Sequence, residues 1–226
     1  MMSAGQIHKM AMRDGAHIEV YRVPAKGERR GGIVLIQEIF GLTAHIREQC
    51  DSFAEEGYEV WAPAIFDREA PGLQLSYSPE DIARAIDLVK QHSMDQAVSD
   101  AQICIEALAK IGHVFMLGYC YGGSVSWACA CRLPQLSGAS CYYGSRIPDL
   151  AHETPQCPVA LHFGEFDQEI PLDRVQAVRA LRPEAEIWTY AAAHGFNSDR
   201  RSDFDASSAQ LARQRTLDLY KRATMV

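Results

Sequence analysis

Four residues of this chain combine the side chains and local settings that acyl-transfer chemistry needs: Cys120, Asp167, His194 and Glu38. Cys120 lies in HVFMLGYCYGGSVSW, where an apolar run of strand length, Val114 to Leu117, is broken by Gly118. Gly122, Gly123 and a helix-compatible segment beginning at Ser124 follow. Strand, sharp turn, helix is the order a nucleophile elbow requires, because its central residue occupies a strained turn that only small neighbours two positions away permit. Gly118 and Gly122 hold those places. The pattern therefore predicts a thiol standing at a strand end, with the amide of Tyr121, opening the next helix, facing any oxyanion formed there. Free cysteine is also among the most buried residue types, and the chain holds other thiols, so the elbow alone does not separate a nucleophile from a packing residue.

Two later stretches separate them. LHFGEFD ends an apolar strand with Asp167, and AAAHGF places His194 in a glycine-containing loop. Taken singly, Asp167 reads as a cap or turn residue and His194 as an ordinary loop histidine. Nucleophile, acid, histidine is, however, the triad order of the α/β-hydrolase sheet. In such a unit the imidazole takes or shares the thiol proton, the carboxylate fixes the imidazole tautomer, and the thiolate attacks an acyl carbon. Thiolate leaves a tetrahedral adduct far more readily than alkoxide does, so a cysteine enzyme of this kind prefers enol, aryl or thio leaving groups over alkyl esters and amides.

Glu38 follows the apolar run IVLIQ and precedes Ile39-Phe40-Gly41. The loop after this strand supplies the second oxyanion donor of the fold, and the amide of Ile39 is the candidate, paired with that of Tyr121. A carboxylate there, close to the thiol, disfavours thiolate, so the expectation is a protonated Cys120 at rest and activation that waits for substrate.

The elements that must position these residues alternate. Strands are expected at His17 to Val23, Ile33 to Gln37, Tyr58 to Ala62, the elbow strand, Gly138 to Tyr143, Pro158 to Phe163 and Glu186 to Tyr190; His17 to Val23 with the turn Pro24 to Gly32 suggests an entry hairpin. Helices are expected from the Thr43 cap to Gly57, from Ser78 and Pro79, from about Asp95 to Gly112, after the elbow, from Pro171, and from Ser207 to Arg222. Pro63 to Pro79 reads as a long excursion forming one wall of a pocket. The expected architecture is a doubly wound, mostly parallel α/β-hydrolase sheet with helices on both faces, a single domain over residues 1–226, and the site at the carboxyl edge of the strands. Tyr143, at a strand end, is a candidate to line that site.

A net charge of -7 argues against a nucleic-acid surface, and no apolar run is long enough to cross a membrane. Lys9, Arg13 and Asp14 interrupt the N-terminal segment where a signal peptide would be continuous. Seven cysteines, an odd number with no C-x-x-C pair and no zinc-type grouping with histidine, read as reduced thiols, making the cytoplasm the expected location and a metal or cofactor unexpected.

QEIFG around Glu38, GYCYGG around Cys120, YYG at Tyr142 to Gly144, FGEFD at Asp167 and AHGF at His194 together resemble the dienelactone hydrolase, or carboxymethylenebutenolidase, family over nearly the whole chain. The resemblance implies opening of an enol-lactone, a small-molecule substrate, through a thioester. Cys120, Asp167 and His194 would be its triad, and Glu38 the residue that helps generate thiolate when substrate arrives. In the family's type member arginines grip a substrate carboxylate; the matching candidates are Arg200 and Arg201 beyond His194, where Ser198 occupies the nearer place, and Arg84 before the elbow. Two other readings stand beside this one. A glutamine amidotransferase-like cysteine enzyme would carry an acid two residues after the histidine, where this chain has Phe196. A noncatalytic, redox-responsive protein would use Cys120 as a sensor thiol.

Overall fold

The computed structural model describes residues 5–225, which fall into two compact units dividing after Val114. The first unit carries β1 (Gln6–Ala11), β2 (His17–Val23), β3 (Gly31–Ile36), α1 (Ala44–Glu55), β4 (Tyr58–Pro63), α2 (Pro79–Gln91) and α3 (Met94–Ala109). Its strands lie in the order β1-β2-β4-β3, with β1 antiparallel to β2, β2 antiparallel to β4, and β3 parallel to β4. β3 is buried along its whole length, as an unbroken apolar run demands. The entry hairpin differs from expectation: β2 pairs backward with β1 and not with β3, and the tight turn is Met12 to Ala16, closed by Met12 N–H to Ala16 O at 2.7 Å. β1 itself, QIHKMA, has no buried face, so no apolar alternation marked it; edge pairing with β2 makes it a strand.

The excursion after β4 is pinned by successive charged residues. Asp67 accepts from the amides of Glu19 at 2.7 Å and Gly72 at 3.0 Å. Arg68 donates to Asp14 and to the fully buried Asp100, 2.9 Å from its Oδ1. Glu69 meets the buried His92 Nδ1 at 2.9 Å. A segment that reads as loop is therefore tied to a turn, a strand and two helices of its own unit.

The second unit carries β5 (Val114–Tyr119), α4 (Tyr121–Arg132), β6 (Gly138–Tyr142), the short α5 (Ile147–Leu150), β7 (Val159–Gly164), α6 (Leu172–Leu181), β8 (Glu186–Tyr190) and α7 (Ala206–Ala223). Strands β5, β6, β7 and β8 follow one another in space and are all parallel. Helices cover both faces, and β6 shows why by its period of two. Ser140 and Tyr142 on one face reach Thr216 of α7 at 2.7 and 2.9 Å, whereas the thiol of Cys141 on the other face lies among those of Cys129 and Cys131 from α4. Among the described residues no helix is long and apolar enough to cross a membrane.

The α7 face holds a buried polar network centred on His162 of β7. Its Nε2 meets Ser140 Oγ at 3.0 Å and Thr216 Oγ1 at 3.3 Å, and its Nδ1 meets Tyr190 Oη at 2.8 Å. Burial, with the charge of Arg215 adding to it, pushes the pKa of this imidazole down to about 3. A folded-state pKa below the unfolded value of about 6.5 means that the unfolded chain takes up a proton the native state refuses as pH falls, so stability drops through this window with a limiting slope of about 1.4 kcal/mol per pH unit. His162→Gln keeps a donor and an acceptor but does not titrate. The stability difference between wild type and this variant, measured by urea unfolding, is expected to shrink by about 2 kcal/mol between about pH 7 and about pH 5; a difference independent of pH would show that His162 is not held neutral.

Candidate active site

Cys120 sits between β5 and α4 with φ 55° and ψ -119°, a conformation that side chains rarely adopt. The neighbouring backbones leave no alternative. A Cβ on Gly118 would lie 2.0 Å from Gly122 O and 2.5 Å from Ser126 Oγ, and one on Gly123 would lie 2.4 Å from Tyr142 O. The turn is held by Cys120 N–H to Tyr142 O at 3.0 Å and by Gly123 N–H to Cys120 O at 2.9 Å. Helix α4 starts at Tyr121, as expected for the residue that opens it, and takes in both following glycines; a Cβ on Gly123 would meet Tyr142 O at the end of β6. The amide of Tyr121 is therefore in the first turn of α4, at the positive end of its dipole.

His194 brings the three expected residues together. Its Nε2 is 3.2 Å from Cys120 Sγ and its Nδ1 is 2.8 Å from Asp167 Oδ2. The other carboxylate oxygen, Oδ1, accepts from the amides of Glu169 at 2.8 Å and Ile170 at 3.2 Å, which fixes the plane of the Asp167 carboxylate. The two loops are tied to each other by Glu165 N–H to Tyr190 O at 2.7 Å and Phe166 N–H to Ala192 O at 3.0 Å. Burial opposes a charge on His194, but the Cys120 sulfur beside it and the Asp167 carboxylate outweigh burial and hold its pKa well above the ordinary histidine value. An imidazole so placed can hold the proton that a thiol gives up.

The chain holds six further thiols. Burial pushes Cys104, Cys131 and Cys157 up to about 12, and pushes Cys50, Cys129 and Cys141 up as well. Among the described residues none of these six thiols is hydrogen-bonded to an imidazole; Cys131 Sγ donates instead to Glu153 O at 3.5 Å. Their role is packing.

Tyr143 stands where a strand end should place a lining residue. Its backbone has φ 36°, and its ring centroid is 5.1 Å from that of His194 and 5.3 Å from that of Phe196, so it walls the imidazole. In the first unit, Glu38 is fully buried in the turn after β3; Tyr77 Oη donates to its Oε2 at 3.2 Å, while Oε1 accepts no hydrogen bond from the described residues. Ile39, next in the chain, is partly exposed. Arg84 is exposed on α2. Arg200 lies 3.6 Å from Asp199 and Arg201 3.6 Å from Asp203, each cation with an acid beside it.

Two residues were not anticipated. Tyr77 reaches Glu38 because Leu75 N–H bonds Phe40 O at 2.9 Å and the Tyr77 and Phe40 rings meet edge-on at 4.7 Å. Glu169 places Oε2 at 3.8 Å from His194 Nε2. The one available signal for it was a second acid closely following Asp167 in a loop without a basic residue.

The profile of the dienelactone hydrolase family matches residues 18–224. A Synechocystis protein named "Putative carboxymethylenebutenolidase" is 33% identical over 209 residues, covering 84% of this chain and 85% of its own length. A protein of the same printed name from Escherichia coli (strain K12) is 32% identical over 219 residues, covering 84% of this chain and 76% of its own. Among solved structures, that of a "Putative Dienelactone Hydrolase" from Klebsiella pneumoniae superposes with TM-score 0.82 at 28% identity, covering 96% of this chain and 99% of the other. A dienelactone hydrolase-like promiscuous phosphotriesterase from metagenomic libraries, 19% identical with TM-score 0.77 and covering 97% of this chain and 99% of its own, shares the fold. With its strands, helices and family match in agreement, the chain belongs to the dienelactone hydrolase family and is a carboxylic ester hydrolase of the α/β-hydrolase fold.

Proposed function

We propose that this chain hydrolyses activated esters and enol-lactones through a cysteinyl thioester, with Cys120 as nucleophile, His194 as proton carrier and Asp167 as the group that orients it. The observation that carries the reading is His194 bridging the Cys120 sulfur and the Asp167 carboxylate at hydrogen-bond distance, with the sulfur on a strained strand-to-helix turn. When substrate is present the thiol proton passes to Glu38 and from there to the imidazole, which holds it as the S–C bond forms. The oxyanion is assigned to the amide of Tyr121 and, by its place in the QEIFG motif, to that of Ile39. Collapse of the adduct breaks the bond to the enol or aryl oxygen, which takes the proton from the imidazolium. Water, deprotonated by the same imidazole, then attacks the thioester; thiolate is expelled and regains a proton, and the acid departs. In a lactone the first leaving group stays tethered to the acyl chain. Seven free thiols fit a reducing compartment, such as the cytoplasm.

Glu38 is assigned the role of a carboxylate that opposes thiolate at rest and accepts the thiol proton when substrate is present. Supporting it are its place in the motif, its complete burial, and an Oε1 that accepts no hydrogen bond from the described residues. A buried carboxylate oxygen without a donor is costly to maintain, and a proton-accepting role gives it a partner during turnover.

Three outcomes test the reading. One equivalent of a neutral alkylating agent should abolish aryl-ester hydrolysis with the label found on Cys120 by peptide mapping, and Cys120→Ala should lose about three powers of ten or more in kcat; an active Cys120→Ala enzyme would sink the thioester route.

His194→Ala and Asp167→Ala should each cost several powers of ten in kcat, while the double variant loses far less than the product of the two, since residues acting as one proton path are not additive. Independent, multiplying losses would separate the two residues.

Glu38→Gln should alkylate faster than wild type near neutral pH while hydrolysing more slowly, because the like charge is gone and the proton acceptor with it. The pH dependence of alkylation for both proteins is the measurement. Unchanged alkylation together with unchanged hydrolysis would leave Glu38 as a buried loop residue with no part in the reaction.

A further inference from the structure

The loops that follow β7 and β8 carry the acid and the imidazole of the proposed triad, and they also set a local charge. Between Gly164 and Pro171 the chain reads EFDQEI, with Glu165, Asp167 and Glu169 and no lysine or arginine. Between Tyr190 and Ala206 it holds Asp199, Asp203 and Asp205 against Arg200 and Arg201. Each of those arginines has an acid 3.6 Å away.

The acids are not equivalent. Both oxygens of Asp167 are engaged, one by His194 and the other by two backbone amides. Asp205 caps α7 through the amide of Ser208. Glu169 differs: its backbone is fixed by its own amide on Asp167 Oδ1, yet its side chain is 58% exposed, and its Oε2 lies 3.8 Å from His194 Nε2. That separation is too long for a hydrogen bond but short for two charges. The same Nε2 is 3.2 Å from Cys120 Sγ, so the Glu169 carboxylate stands within about 7 Å of the sulfur. An acyl carbon under attack lies roughly 3 to 3.5 Å from the nucleophile. At low ionic strength, where the Debye length is about 30 Å at about 0.01 M, a negative charge on the acyl part a few bonds away would then sit within one Debye length of Glu169.

We propose that Glu169 sets the charge class of the substrate: with its carboxylate beside the imidazole that serves Cys120, the site favours esters and lactones whose acyl part is uncharged over those that carry a carboxylate. The inference rests on the thioester reading above and adds to it a specificity-determining residue. Any effect of Glu169 on the proton affinity of His194 acts on all substrates alike, so it cancels in a ratio between two esters. Charge discrimination does not cancel.

The test compares kcat/KM for para-nitrophenyl hexanoate and mono-para-nitrophenyl adipate, which share a leaving group and nearly match in chain length. Wild type, Glu169→Gln and Glu169→Lys are measured at low and high ionic strength. At low salt, Glu169→Gln should shift the ratio toward the anionic ester by about fivefold, and Glu169→Lys should shift it further in the same direction. At about 1 M salt both shifts should largely collapse, since the exposed carboxylate is screened. A ratio unchanged within about twofold in both variants, or a shift insensitive to salt, overturns the role of Glu169. Each protein is also measured with Cys120→Ala added. Hydrolysis that survives that change counts against the thioester reading, whereas Cys120-dependent hydrolysis with an unchanged ratio counts against Glu169 alone.

Discussion

The close approach of β5, α4 and the end of β6 is the constraint on which the reactive part of the chain depends. No side chain fits at Gly118 or Gly123, because Gly122 O, Ser126 Oγ and Tyr142 O already occupy the space. That crowding lets the chain reverse within one residue and forces Cys120 to positive φ, at a cost of order 1 to 3 kcal/mol. The turn is stable because its polar groups are used: the Cys120 amide bonds Tyr142 O, and the Cys120 carbonyl accepts from Gly123. What the strain achieves is placement. The thiol leaves the packing environment shared by Cys129, Cys131 and Cys141 and meets an imidazole.

Two buried histidines of the same unit show how surroundings decide protonation. His162 is enclosed by Ser140, Thr216 and Tyr190 hydroxyls, with Arg215 near enough to oppose a positive charge, and burial carries its pKa down. His194 is almost as buried, but a sulfur and a carboxylate flank it, and they outweigh the same desolvation. Hydroxyls can satisfy a neutral ring from both sides; they cannot offset its charge. One histidine thus holds a sheet and a helix together, and the other is poised to move a proton.

The meeting of Cys120, Asp167 and His194 was legible because each lies just after a strand end in a short motif, and close backbone approaches leave no room for a side chain at Gly118 and Gly164. Tyr143 was legible for the same reason, as the residue after β6. Other features were hidden. The reach of Tyr77 to Glu38 depends on a bridge between Gly41 and Gln74, a pairing outside the named strands that no periodicity announces. β1 owes its form to its neighbour, since its own residues bury no face. Gly122 and Gly123 are helical although their local preference is against it, because tertiary packing at the elbow holds them in α4.

Glu169 was hidden for a different reason, and the difference separates two uses of the same chemical group. A carboxylate that orients an imidazole must be buried and fully hydrogen-bonded, as Asp167 is, because only then are its geometry fixed and its charge unscreened. Such a residue leaves a signature in its neighbours, and its loop must follow a strand. A carboxylate that acts on approaching molecules needs neither fixed geometry nor burial; exposure is what lets its field reach beyond the protein. An exposed acid in a loop looks in sequence like any solvated residue. Only the 3.8 Å to His194 Nε2 distinguishes Glu169 from Glu165, which is exposed in the same loop and instead accepts a hydrogen bond from Thr189.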